Sequence, residues 1–236
     1  EKEIAVSGLR GRVLADFITD REGGLAGYSF TTTDIVRQAE ALRGSGLDVP
    51  EPLAVSRMVP AGHTLRWRVL LPEGVNWRRP WPFLIQADPA NADHEANEPP
   101  GDHPLGATGV AGVTVIVERI DRVRALYGKH LGLELQREDR VPELAADRAR
   151  FIHEGFTVDL LAPVGAGPVR SELDSAGEGL FQLLLRVANL DAARAWLARS
   201  GIALQPAPGQ PGGWLIPPER AAGARLALIE GNGAAE

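Results

Sequence analysis

GVAGVTVIVERIDRVRALYGKHLGLEL, from Gly109 to Leu135, decides the fold, because two other stretches of the chain repeat its pattern. They are GLAGYSFTTTDIVRQAEALRGSGLDV, from Gly24 to Val49, and GLFQLLLRVANLDAARAWLARSGIAL, from Gly179 to Leu204. Each stretch predicts a strand, a short polar break, an amphipathic helix and a glycine before the next strand. Such self-similarity indicates that one supersecondary unit occurs three times.

The residues that follow each repeat add alternating apolar segments, which extend every unit to a β-α-β-β-β module. Segments rich in Asp, Asn, Pro and Gly separate the modules and predict linkers. The strand Glu3–Val6 is expected to be the end of an earlier module. The predicted segments are 1–24 (remnant of a preceding module plus connector), 25–88 (module A), 89–108 (linker), 109–163 (module B), 164–178 (second linker) and 179–231 (module C).

A single module of this kind leaves one face of its sheet uncovered, so two modules should pair. We therefore predict an α+β fold of repeated β-α-β-β-β modules, paired into a cup-shaped mixed sheet. Modules B and C, which are adjacent and complete, should form one pair. Module A then lacks a partner, which we expect either before Glu1 or in a second chain, as a homodimer through module A.

Composition limits the function classes. The chain has 236 residues, with 25 basic and 31 acidic side chains and a formal net charge of −6. This balance, without a long basic run, argues against a nucleic-acid or anionic-membrane partner. The absence of cysteine excludes disulfides, thiolate nucleophiles and cysteine-ligated metals. No apolar run reaches the roughly 20 residues of a membrane span, and a cytoplasmic protein is the default expectation.

Several motifs make the chain similar to the vicinal oxygen chelate superfamily, which includes glyoxalases, bleomycin-resistance proteins and extradiol dioxygenases. In module B, the run from Leu126 to Leu133, LYGKHLGL, resembles the helix end of that superfamily. In module C, the run from Ile216 to Gly223, IPPERAAG, resembles its last loop. Module A resembles a glyoxalase-like subgroup of bacterial proteins. The resemblance implies the fold, whereas the chemistry varies within it.

The resemblance also implies where a divalent metal would bind. In the metal enzymes of the superfamily, two first-strand and two last-strand positions supply the ligands. In modules B and C these positions fall on Gly112, Asp159, Gln182 and Ala227, and two of the four have no ligand atom. We therefore expect no cofactor and a cup without the metal. The alternative is a divalent Fe, Mn, Ni, Co or Zn ion in a rearranged site.

Strand alternation places a few polar side chains inside the cup of modules B and C, which otherwise should be apolar, as in a small-molecule pocket.

Trp214 is interpreted either as a core residue or as a stacking platform for a planar ligand. The segment from Trp77 to Trp81 predicts a surface loop or, alternatively, an interaction patch. The expected ligand-binding residues are Thr114, Asp159, Gln182, Arg186, Arg225 and Trp214.

The leading functional hypothesis is a glyoxalase-like protein that binds a small anionic or aromatic metabolite without a metal. The rival hypothesis from another class is a metal-dependent lyase, isomerase or dioxygenase of the same superfamily. A third hypothesis is a non-catalytic module kept for assembly, with module A as the dimerising surface. Bound metal near one per chain would favour the enzyme, and no catalytic residue is assigned.

Overall fold

The computed structural model describes residues 16–19, 23–59, 62–74, 77–91 and 103–231. The predicted strand Glu3–Val6 and residues 92–102 of the predicted linker lie outside these ranges. In the described part of the chain, none of the helices combines the length and apolar character that crossing a membrane requires.

Module A forms a four-stranded sheet in the order β1-β4-β3-β2, with one helix. Strand β1 is parallel to β4, and the other neighbours are antiparallel. The helix begins where the Asp34 carboxylate accepts a hydrogen bond from the amide of Arg37 at 3.0 Å, a typical N-cap. The elements are β1 (Ser29–Thr31), α1 (Ile35–Arg43), β2 (Leu53–Met58), β3 (Thr64–Leu70) and β4 (Phe83–Ala87).

The remaining strands form one eight-stranded sheet in the order β10-β11-β12-β9-β5-β8-β7-β6. Its two first strands, β5 and β9, meet antiparallel at the centre, and each pairs in parallel with the last strand of its own module. The elements are β5 (Ala107–Ile116), α2 (Ile120–Ala125), β6 (Glu134–Val141), β7 (Ala146–His153), β8 (Phe156–Pro163), α3 (Pro168–Ala176), β9 (Gly179–Val187), α4 (Leu190–Arg199), β10 (Gln205–Pro206), β11 (Trp214–Ile216) and β12 (Leu226–Glu230). Repeated modules paired into a cup-shaped mixed sheet are thus confirmed.

Alternation along each strand separates the two faces of this sheet. On the helix side, Val113, Val115 and Leu160 pack with Tyr127 and Phe151 in one buried cluster. The opposite face is the inside of the cup. The turn that joins β7 to β8 is at Glu154 and Gly155, as the sequence predicts, and both residues have positive φ, as a two-residue hairpin turn requires.

Module A packs against module B, a contact that the sequence analysis did not foresee. Leu126 joins Ile35 and Leu42 of α1 in one buried cluster. The ring Nδ1 of His130 lies 2.6 Å from the carbonyl oxygen of Ala41. Module A makes this contact through helix α1. Modules B and C instead join through their first strands, β5 and β9. Among the described strands, β1 pairs only with β4.

The segment 164–178, expected to be a linker, contains helix α3. Pro168 occupies the first turn, where its fixed φ and missing N–H are tolerated. Val169 is buried, and Leu173, four residues later, packs against the same cluster. The apolar pair at i and i+4 explains why this Pro- and Gly-containing segment folds as a helix.

Candidate functional site

Three of the expected site residues form a row across the middle of the cup. Thr114 on β5 is the direct register partner of Asp159 on β8 and of Gln182 on β9. All three side chains are at most 3% exposed. The backbone of Arg225 extends the row, because its carbonyl accepts a hydrogen bond from Leu183 at 2.9 Å.

Asp159 already has its full set of partners. Arg150 on β7 donates from Nε and Nη2 to the two carboxylate oxygens, each at 2.6 Å. The amide of Gln210 donates to Oδ2 at 3.1 Å, and Arg148 Nη1 lies 3.6 Å from the same oxygen. Paired hydrogen bonds between a guanidinium and a carboxylate are among the strongest in proteins. Asp159 is therefore a counter-ion for two buried arginines.

A loop between β10 and β11, residues 207–213, enters the cup, and we call it the cup loop. The carbonyl of Gly209 accepts a hydrogen bond from Arg148 at 2.9 Å. Gly209 has φ +74°, and a Cβ there would lie 3.1 Å from a methyl carbon of Val141, so glycine is required for both reasons. The sequence analysis expects an open pocket between modules B and C. The structure corrects this expectation, because the cup loop fills that space.

A second ion pair supports the filled cup. Arg148 donates from Nε and Nη2 to the carboxylate oxygens of Asp139 at 2.7 and 2.6 Å. These hydrogen bonds lower the pKa of Asp139 below its ordinary value. Arg148, Arg150, Asp139 and Asp159 thus form one network, which explains how four charged groups are accommodated around a filled cup.

The residues at the four implied metal positions do not fit a divalent cation. Gly112 has no ligand atom, and Ala227 is buried in an apolar cluster with Leu184. Asp159 is engaged by Arg150, and the positive charge of the two guanidinium groups opposes a cation. Within the described ranges, no group of three or more His, Asp or Glu side chains is placed to hold a metal.

The remaining expected site residues lie apart. Trp214 is on the helix side of the sheet, away from the cup, and the Arg194 guanidinium lies 3.9 Å from its ring centroid. Arg186 is at the rim and donates to the carbonyl of Gly155 at 3.3 Å. Arg225 stacks on Phe181 at 4.4 Å, next to a separate cleft.

A cavity with a mostly apolar lining lies instead on the sheet of module A, on the face opposite α1. We call it the module A cavity. Its volume is about 240 Å³. It forms because β2, β3 and β4 present alternate residues to this face, and the loop before β4 closes one side. The side chains that line it are predominantly aromatic and aliphatic: Tyr28, Val55, Trp67, Val69, Trp77, Trp81, Phe83 and Ile85.

Two polar atoms of the cavity walls lack partners. The indole Nε1 atoms of Trp77 and Trp81 are buried, and within the described structure neither has a hydrogen-bond acceptor. Buried indole N–H groups are usually hydrogen-bonded, so such orphans require an explanation. Since neither nitrogen is open to solvent, the two tryptophans present the faces and edges of their rings to the cavity, which suits a flat aromatic ligand.

A chain of phenols ties one wall of this cavity to module B. The hydroxyl of Tyr127 donates to the carbonyl of Pro80 at 2.7 Å. The proton shared by the two tyrosine hydroxyls must therefore come from Tyr28, whose side chain lines the cavity. Burial raises the pKa of both phenols, that of Tyr28 well above its ordinary value, so both are neutral.

Sequence reasoning missed this site although its signal was present. The segment from Trp77 to Trp81 contains two tryptophans and two arginines in five positions, which predicts a surface loop or, alternatively, an interaction patch. On β3, Trp67 alternates with arginines, a pattern that indicates a half-buried strand. The pattern does not indicate which part of the chain covers the apolar side of that strand. Such a density of tryptophan beside a sheet face is the pattern that would have indicated a binding surface.

Comparison with known families agrees with the fold and the paired modules. The protein is of the vicinal oxygen chelate class. More particularly, it belongs to the glyoxalase-like domain family, whose model matches residues 5–131, more than half of the chain. The model of the Glyoxalase/Bleomycin resistance protein/Dioxygenase superfamily matches residues 113–216. The resemblance stated from the sequence is therefore confirmed. No curated protein shows significant similarity to the chain.

The solved structures to which the chain is similar match about half of its length. Methylmalonyl-CoA epimerase from Mycobacterium tuberculosis is 28% identical, covers 53% of this chain and 89% of its own, and has a TM-score of 0.48. A hypothetical protein from Bacillus halodurans C-125 is 21% identical, with 54% and 96% covered and a TM-score of 0.47. A methylmalonyl-CoA epimerase in complex with methylmalonyl-CoA is 19% identical, with 54% and 96% covered and a TM-score of 0.48.

Proposed function

We propose that this protein binds a small, flat, aromatic metabolite in the module A cavity, and that it does so without a divalent metal in the cup of modules B and C. The observation that carries the proposal is the aromatic lining of the cavity, to which Trp67, Trp77 and Trp81 contribute. These aromatic walls would bury the rings of a flat ligand.

The lining defines the ligand further. Of the described residues around the cavity, none carries a carboxylate or an imidazole, and Tyr28 is held neutral. Acid–base catalysis needs a group that titrates near the working pH, so the lining favours binding over catalysis. A cavity of about 240 Å³ with apolar walls suits one bicyclic ring system with few polar atoms.

In this proposal, modules B and C are the scaffold of the binding site in module A. The cup loop and the arginine–aspartate network make their interior rigid. The loop before β4 is clamped to them, because Arg78 Nη1 lies 2.9 Å from Glu172 of α3. The metal-dependent lyase, isomerase or dioxygenase is the weaker hypothesis, because its ligand positions include Gly112, Ala227 and an arginine-bound Asp159.

Quinoline is a suitable probe, because it is bicyclic and has one ring nitrogen that accepts a hydrogen bond. Titration should quench tryptophan fluorescence saturably at one quinoline per chain. Trp67→Ala should weaken binding at least about tenfold, which is ~1.4 kcal/mol. Trp214→Ala, a matched loss of a tryptophan on the far sheet, should not. Quinoline affinity that stays unchanged in Trp67→Ala would contradict binding in this cavity.

Assembly through module A is the second candidate function, favoured by the exposed apolar side chains of strand β2. Leu53 is 47% and Met58 is 74% exposed, and the outer edge of β2 has no partner among the described strands. Exposed strand edges with apolar side chains favour association. Sedimentation equilibrium should then show dimers that Met58→Asp dissociates. A monomer at every concentration tested would exclude this function.

A further inference from the structure

A second cleft, separate from the module A cavity, lies where the loop before β4 meets α3 and the start of β12. Its volume is about 580 Å³. Its described walls combine apolar side chains, among them Leu25, Leu180 and Phe181, with three charged groups, those of Arg78, Glu172 and Arg225. Most of the exposed lining of the cleft is polar, which suits a charged ligand with a small apolar body.

Of the two described arginines that line this cleft, one is in an ion pair with a described carboxylate and the other is not. Glu172 Oε1 accepts a hydrogen bond from Arg78 at 2.9 Å, so its carboxylate is already engaged. In the described part of the chain, Arg225 has no carboxylate within ion-pair distance, and its Nε is buried without an acceptor. The guanidinium of Arg225 is therefore left without an ion-pair partner among the described residues.

The guanidinium of Arg225 is held in a fixed orientation. It stacks on the ring of Phe181, with its central carbon 4.4 Å from the ring centroid. Burial lowers the pKa of Arg225, and the attraction of Glu172 offsets this only in part. A stacked, planar guanidinium presents its N–H groups at one edge, where a carboxylate can accept two of them.

We infer that this cleft is a binding site for a small organic carboxylate, with the carboxylate on Arg225 and the apolar body against Leu180 and Leu25. The site is independent of the function proposed for the module A cavity. A bound carboxylate would neutralise the unpaired guanidinium of Arg225, which a neutral ligand of the same shape would do less well.

Benzoate is the probe, and benzamide is its neutral counterpart of the same shape. Isothermal titration should show benzoate binding at least about tenfold more tightly than benzamide, and Arg225→Gln should remove that difference. Arg220→Gln, an exposed arginine on the preceding turn, is the matched control and should leave benzoate affinity unchanged. Trp67→Ala should also leave it unchanged, which separates this site from the module A cavity.

Equal binding of benzoate and benzamide, or unchanged benzoate affinity in Arg225→Gln, would overturn the inference. A second measurement uses the unsubstituted protein, so it does not depend on whether the Arg225→Gln variant folds. The proton–nitrogen NMR signal of the Arg225 Nε–H should shift saturably with benzoate and not with benzamide. A signal that stays in place at saturating benzoate would equally overturn the inference.

Discussion

Arg150 and Asp159 face each other across strands β7 and β8, with two guanidinium nitrogens each 2.6 Å from a carboxylate oxygen. Asp159 is the position that the resemblance to metal enzymes would make a ligand. In this protein its carboxylate is hydrogen-bonded to the guanidinium of Arg150. The same position has therefore changed from a possible ligand to part of the structural interior.

The first prediction concerns Asp159→Asn. The substitution removes the counter-ion of Arg150 and leaves its buried charge uncompensated, so the free energy of unfolding should fall by about 3 kcal/mol. Asp147→Asn, which removes the exposed ion pair with Arg140, should cost less than about 1 kcal/mol. Urea denaturation measures both. A loss for Asp159→Asn no larger than that of the control would show that the buried pair is not structural.

The second prediction concerns metal. Protein purified without a His tag and reconstituted with Mn, Fe, Ni, Co or Zn should carry no metal near one per chain, because Gly112 and Ala227 offer no ligand atoms. Elemental analysis measures this directly. Stoichiometric metal that disappears in Asp159→Ala would instead support chelate chemistry in the cup of modules B and C.

The third prediction separates crowding from backbone strain in the cup loop. Gly209 and Gly212 both have positive φ, of +74° and +76°, but only at Gly209 would a Cβ meet other atoms. Gly212→Ala should cost about 1 kcal/mol of stability from backbone strain. Gly209→Ala should cost about 3 kcal/mol, because it also overpacks the side chain of Val141. Equal losses for the two variants would mean that the loop does not pack tightly in the cup.

The fourth prediction concerns the phenol pair. The pKa of Tyr28 and that of Tyr127 are raised in the folded protein, so the unfolded chain releases its phenolic protons first. Stability should be unaffected by these groups below about pH 10 and should fall as the pH rises above it. The chain has only these 2 tyrosines, so phenolate absorbance reports on the pair alone. Ionisation of the folded protein near pH 10 would contradict the buried pair.

The modular fold could be predicted because its signals are local. The repeat, the capping residue Asp34 and the Glu154-Gly155 turn each act within a few positions of the chain. The row of Thr114, Asp159 and Gln182 could also be predicted, because strand alternation fixes which face a side chain takes.

What the sequence did not predict depends on contacts between distant segments. Arg150 contacts Asp159 from strand β7, and Gln210 contacts it from the cup loop. No pattern in the sequence indicates that these residues meet. The face of the sheet that Trp214 takes could not be predicted, because β11 is only three residues long, too short for alternation to fix its phase. The module A cavity was missed because the loop before β4 closes it from outside the strands.

The proton–nitrogen NMR spectrum of the indole N–H groups during a quinoline titration tests the central claim most directly. The chain has 5 tryptophans, and their signals can be assigned one by one with substituted variants. The N–H signals of Trp77 and Trp81 should shift saturably, while those of Trp196 and Trp214 stay in place. Saturable shifts confined to Trp196 or Trp214, or no shift at all, would contradict ligand binding in the module A cavity.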